Sequence, residues 1–177
     1  MAQVKGRIIL LNGTSSAGKS TIAKELRGHL EPQFHSYSSD QLADAGFRPL
    51  DKDVRFKYRE SFYEGFHKSI AAFAEVGLDL LVEHIVECQS WADDLKVLLS
   101  PFDVFWIGVH VPVVEIERRE RLRANRQIGE GIYHLKTHTF CKYDLEVDTT
   151  QPLEQNVETI LTAWRSRSIS RMDRTTG

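Results

Sequence analysis

Gly13-Thr14-Ser15-Ser16-Ala17-Gly18-Lys19-Ser20 brings together what phosphate chemistry requires, and it satisfies G-x-x-x-x-G-K-[ST] in full. The glycines allow backbone angles and a close approach that a side chain would block, so successive N–H groups can turn inward on phosphate oxygens. Lys19 is placed to reach the β- and γ-phosphates and offset charge as a phosphoryl group moves, and the Ser20 hydroxyl can ligate Mg²⁺. The expected nucleotide-binding stretch is Gly13, Thr14, Ser15, Ser16, Ala17, Gly18, Lys19, Ser20 and Thr21. No guanine-reading N-K-x-D stretch is apparent, so ATP with Mg²⁺ is the expected pair of cofactors.

A phosphate cradle does not by itself name a reaction, since motors, switches and kinases share it. The other groups must be sought beyond it. Asp40 lies at the carboxyl end of the short expected strand His35 to Ser39, the edge that faces the phosphates, where a carboxylate could accept the proton of an attacking hydroxyl; the alternative is a cap for the turn Gln41 to Ala45. Glu83 closes the run Leu80-Leu81-Val82, as an acid does when it orders Mg²⁺ or its waters; the alternative is a plain loop start. His84 and Glu87 are close by. The stretch Glu117 to Arg126 is dense in arginine and meets Gly129 and Gly131, which reads as a hinged lid. Arg123 and Arg126 are the candidates to neutralise transition-state charge, while Arg118, Arg119 and Arg121 fit a solvated helix with Glu and Arg three or four apart. His134, His138 and Cys141 have a spacing that raises the question of a metal, but no fourth ligand accompanies them.

These groups need a frame. Arg7 to Asn12 is an apolar run suited to a strand buried on both faces, and Ser20 to about Leu30 is a helix with Ile22, Ala23 and Leu26 on one side. Further strands are expected at His35 to Ser39, Asp79 to Val86, Asp103 to Val111 and Tyr143 to Asp148. Gln41 to Phe47 reads as a helical turn or loop. Val54, Tyr58, Phe62, Phe66, Ile70 and Phe73 predict one long helix with an aromatic stripe, followed by helices at Trp91 to Leu99, Val114 to about Asn125 and Leu153 to Trp164. The expected fold is α/β: a three-layer sandwich with a mainly parallel five-stranded sheet and helices on both faces, of the P-loop NTPase kinase-like type. Ligands then lie beyond the carboxyl ends of the strands.

With 177 residues, 41% of them hydrophobic, the chain suits a single domain over 1–177, with a lid near 117–135 and a frayed tail near 166–177. A formal charge of −2 gives no general attraction to nucleic acid, and no apolar run approaches the length of a membrane span. Cys88 and Cys141 do not form a disulfide framework, which fits a cytoplasmic location. The expected partner is a small-molecule hydroxyl acceptor, with self-association left open.

Three stretches resemble the chloramphenicol phosphotransferase-like family of P-loop kinases: Ile9 to Ser20, Ser39-Asp40-Gln41-Leu42, and Tyr143-Asp144-Leu145-Glu146-Val147-Asp148-Thr149-Thr150. The likeness runs from Arg7 to about Leu153. It implies ATP as donor, a lid that contributes arginine, Asp40 as the base that activates a primary hydroxyl, and a 3-O-phosphoryl product. The chain departs from the family between Ala45 and Gly77, where Phe47, Tyr63 and Phe66 stand, and at Glu83 and His84 in place of paired aspartates. An O-phosphotransferase with a chloramphenicol-like acceptor is the leading expectation. A nucleoside, nucleotide or sugar-nucleotide kinase is the alternative within enzymes, and a nucleotide-binding regulatory switch is the alternative outside them.

Overall fold

The structure is a computed structural model describing residues 4–31, 34–122 and 129–175, with side chains as far as Arg167. Strand β1 (Arg7–Asn12) runs into the glycine loop and helix α1 (Lys19–Arg27). Next come β2 (His35–Ser38), α2 (Ser39–Asp44), α3 (Lys52–Lys57), α4 (Arg59–Glu75) and β3 (Leu80–His84). The chain continues through α5 (Gln89–Leu98), β4 (Asp103–His110), α6 (Val113–Arg121), α7 (Glu130–His134), α8 (Thr137–Phe140), β5 (Leu145–Asp148) and α9 (Leu153–Thr175).

All five strands pair in parallel, in the order β2-β3-β1-β4-β5. The central position of β1 explains its unbroken apolar run. Ile9 and Leu11 pack with Ile22, Leu26, Ile160 and Trp164 of α1 and α9, whereas Ile8 and Leu10 pack with Phe66, Ile70, Trp91 and Leu95 of α4 and α5. Alternating side chains of one strand thus supply both helical layers. The register sets Leu11 beside Glu83, Glu83 beside Ser38, and Asn12 beside both His84 and Gly108. The chemically active residues therefore meet along one edge of the sheet.

Two helical expectations need correction. The single helix predicted over Val54 to Phe73 is broken at Tyr58, which leaves helical geometry (φ −103°, ψ 12°) to end α3 and begin α4. Only the middle of the stripe, on α4, has a surface to cover: Phe66 and Ile70 are buried, while Val54, Tyr58 and Phe73 stay 39%, 50% and 40% exposed. At the other end, helix α9 continues past Trp164 and through the expected frayed tail to Thr175. Arg167 ties it to the sheet through Asp103, Asp144 and the carbonyl of Val104. The short helices α2, α7 and α8 fall where no regular helix was expected.

Leu10 is fully buried at the centre of this arrangement. Leu10→Ala is expected to lower unfolding free energy by about 2–5 kcal/mol, through lost burial and a residual cavity, as read by urea denaturation. An unchanged midpoint would contradict the packing described.

Candidate active site

Phosphate-binding geometry begins where β1 stops. Asn12 is fully buried; its Oδ1 accepts from the N–H of Val86 (2.9 Å) and its Nδ2 donates to the Tyr143 hydroxyl (2.7 Å). The loop then turns through Gly18, whose φ of 94° suits glycine, into the N-terminus of α1, where the helix dipole favours an anion. Ser16 also holds a positive φ of 61°, and its buried hydroxyl has no hydrogen-bond partner. A strained backbone with an unsatisfied buried hydroxyl facing the loop fits an oxygen-rich ligand. Lys19 Nζ donates to the carbonyls of Gly13 (2.7 Å) and Thr14 (2.8 Å), which holds its charge at the mouth of the loop.

A cavity of about 230 Å³ opens beside this loop. Lys19, Ser20, Asp40, Glu83, Glu87 and His134 all line it, as do Arg48, Tyr63 and His84. The Ser20 hydroxyl donates to Glu83 Oε2 at 2.6 Å, so two oxygen donors from α1 and β3 stand together as a divalent cation requires. Asp40 lies in the first turn of α2. The cap of that helix is Ser38, which exchanges hydrogen bonds with Gln41 in a capping box, so the capping alternative for Asp40 is overturned. Its carboxylate is exposed and turned to the cavity.

Behind the cavity stands a wall of rings. His84 and His67 are buried and share a 2.8 Å contact between their Nε2 atoms, with Trp91 stacked against His84. Burial pushes His67 down to about 4 and His84 well below its ordinary value, the neighbouring His67 and then Lys19 adding to the effect at His84. Both rings are neutral near pH 7. Burial would raise the Glu87 carboxyl, but His134 and Arg59 outweigh it and hold the group below its ordinary value. Arg59 donates to Glu87 and lies over the rings of Tyr63 and Trp91 at 5.0 and 5.2 Å.

On the other side of the loop a second cavity, about 310 Å³, is lined by Ser16, Gly18, Thr21, Arg119, Thr149 and Asn156, among others. Arg119 Nη1 donates to the carbonyl of Ser16 (3.1 Å) and Nη2 to that of Thr149 (3.0 Å). Two cavities on either side of one phosphate-type loop leave room for a nucleotide along one and an acceptor in the other.

The family model for chloramphenicol phosphotransferase-like proteins matches residues 6–165. The chain belongs to the chloramphenicol phosphotransferase-like family. A Mycobacterium tuberculosis protein provisionally named an O-phosphotransferase is 25% identical over 180 residues, covering 82% of this chain and 76% of that one. Among solved structures, the M. tuberculosis APS kinase bound to AMPPNP and APS aligns with a TM-score of 0.66 at 14% identity, over 91% of this chain and 98% of that one. A gluconokinase from Sinorhizobium meliloti aligns at 0.64 with 16% identity, over 99% of both chains. The fold is that of P-loop kinases, and this family member is a kinase-type phosphotransferase.

For this chloramphenicol phosphotransferase-like chain, the structure brings Lys19, Ser20, Asp40 and Glu83 to one cavity. Arg123 and Arg126 lie outside the described residues. Arg118, Arg119 and Arg121 all pair with Glu115 or Glu117 three or four residues away, as expected, and Arg119 in addition bridges the loop and the end of β5. The sequence offered only its spacing of four from Glu115, beside the spacing of three for Arg118. Gly131 is a contact point in place of the expected hinge: a Cβ there would lie 2.4 Å from Ile116 Cγ2 and 2.9 Å from the carbonyl of Ser15. His134 faces Glu87, while His138 stacks on His110 and bonds the Tyr143 hydroxyl, so these two do not converge on one ligand. Arg48 and the cavity role of His134 were missed, and Tyr63 was legible only as a departure from the family.

The buried histidines carry a pH dependence. An unfolded histidine titrates near 6.5 and His67 near 4 when folded, so the unfolded state binds more protons between those values and stability falls as pH drops through that window. From pH 7 to 5 the loss from His67 is expected to be roughly 2 kcal/mol, and His67→Gln should flatten the slope in urea denaturation at both pH values. An identical slope in the variant would remove His67 as its source.

Proposed function

We propose that this protein is an ATP-dependent O-phosphotransferase that moves the γ-phosphate to a hydroxyl of a small molecule held beside the glycine loop. The observation that carries the reading is that Lys19, the Ser20–Glu83 pair and Asp40 face a single cavity. Asp40 accepts the proton as the acceptor oxygen forms its bond to the γ-phosphorus and the bond to the ADP oxygen breaks. Lys19 and the loop N–H groups take the charge that spreads over the phosphoryl oxygens. Ser20 and Glu83 would hold Mg²⁺, which when bound would offset the negative charge of the phosphates. Arg123 or Arg126 would close the site from the arginine-rich segment.

Arg119, Thr149 and Asn156 give the base end of the nucleotide a cavity of its own. The family's name and the relative's name both support a hydroxyl acceptor, and chloramphenicol is the first one to offer. Using ATP also fits the cytoplasmic location expected of the chain.

Asp40→Asn should lower phosphate transfer by about a hundredfold or more with ATP binding retained, and Lys19→Ala should abolish transfer. Mass spectrometry of chloramphenicol with ATP and Mg²⁺, and ADP release over other hydroxyl compounds, would read both. Full activity in Asp40→Asn would remove it as the base.

A further inference from the structure

The acceptor cavity does not end at Tyr63. Arg48 and Tyr63 line it and also line an adjoining groove of about 330 Å³ that runs along α3 to the start of α4. Four cations, Arg48, Lys52, Arg55 and Arg59, face this groove against Phe62 and Tyr63, and none of its described lining residues is acidic. In a chain of net charge −2 this is a local concentration of one sign. Arg59 is already engaged by Glu60 and Glu87. The described structure gives no ion pair to Arg48, Lys52 or Arg55, and the only carboxylate at the start of α3 that makes a hydrogen bond, Asp51, spends it on the backbone N–H groups of Asp53 and Val54.

We propose that the acceptor of this phosphotransferase is an anionic ring compound: beside its hydroxyl it carries a phosphate, sulfate or carboxylate that lies in the Arg48–Lys52–Arg55 groove. The inference rests on the phosphotransferase reading of the adjoining cavity and narrows its substrate class. Asp40, Glu83, Glu87 and Glu130 line the transfer cavity, where Lys19 and Arg48 are the cations, while the groove next to it is lined by cations alone among its charged residues and attracts a further negative group. The two charge fields orient the molecule with its hydroxyl toward Asp40. Phe62 and Tyr63, 5.2 Å apart and edge to face, offer ring surface between the two ends.

The test offers phenylethanol and its para-carboxylate and para-phosphate derivatives. Binding is measured by calorimetry on the full chain loaded with AMPPNP and Mg²⁺, and ADP release is measured with ATP. The charged compounds should bind about tenfold tighter than the neutral one, and the advantage should shrink with added salt and vanish in the Lys52→Glu/Arg55→Glu variant. AMPPNP affinity, unchanged in that variant, shows that it folds. Equal binding of charged and neutral compounds, no binding of either charged one, or an advantage that survives the charge reversal would each overturn the proposal. Charge-dependent binding without ADP release would instead sustain the anion groove and count against transfer to these hydroxyls. ADP release with no charge preference would sustain transfer and sink the groove.

Discussion

Asn12 has no access to water, so both ends of its amide must be satisfied inside the protein, and each partner comes from a different part of the chain. Val86 lies after β3, Thr137 opens α8, and Tyr143 precedes β5. One side chain at the end of the central strand thereby joins the segments that flank the phosphate loop. Each buried bond left unmade would cost about 1–3 kcal/mol, which is large beside the net stability of a small domain. The Tyr143 hydroxyl extends the network to His138, whose ring stacks on His110 at the end of β4. The glycine loop can hold a strained Ser16 because the edge beneath it is fixed in this way.

Charge is distributed around that fixed edge with a clear division. Acids gather where Mg²⁺ and a hydroxyl proton would be handled, and the neutral pair His67 and His84 closes the wall behind them without adding positive charge. The groove beside the transfer cavity, along α3, is lined by cations and, among its described residues, by no acid. An ionised His84 would have repelled a cation held by Ser20 and Glu83, and its burial among Tyr63, Phe66 and Trp91 keeps it neutral. These rings are therefore both packing and a control on protonation.

Sequence made the phosphate side legible because its chemistry is contiguous: loop, lysine and serine follow one another, and a strand buried on both faces announces itself by composition. The parallel sheet followed from the alternation of strands and helices. The acceptor side was less legible for a physical reason. Arg48, Tyr63, Glu87 and His134 come from four separate segments and are neighbours only through the fold. Asp40 stood out by its place after β2, and its alternative role as a cap fell away only on seeing Ser38 and Gln41 exchange hydrogen bonds. The periodicity around Tyr58 misled, since spacing records which residues could share a helix face and not whether a surface exists to cover it.

Helix α6 links these two sides. Arg119 reaches one way, to the carbonyls of Ser16 and Thr149, and the adjacent Glu120 reaches another, its buried carboxylate accepting the N–H groups of Gly129 (2.8 Å) and Gly131 (2.7 Å). Thr14 of the loop in turn donates to the carbonyl of Gly131. A carboxylate buried to 2% exposure needs those donors, because an unpaired charge there would be costly. The loop is thus held by consecutive residues of one helix, directly through Arg119 and through α7 by way of Glu120. Any displacement of α6 must alter the hydrogen bond at the carbonyl of Ser16 or the contact at Gly131, so the geometry of the phosphate loop and the position of α6 are mechanically joined.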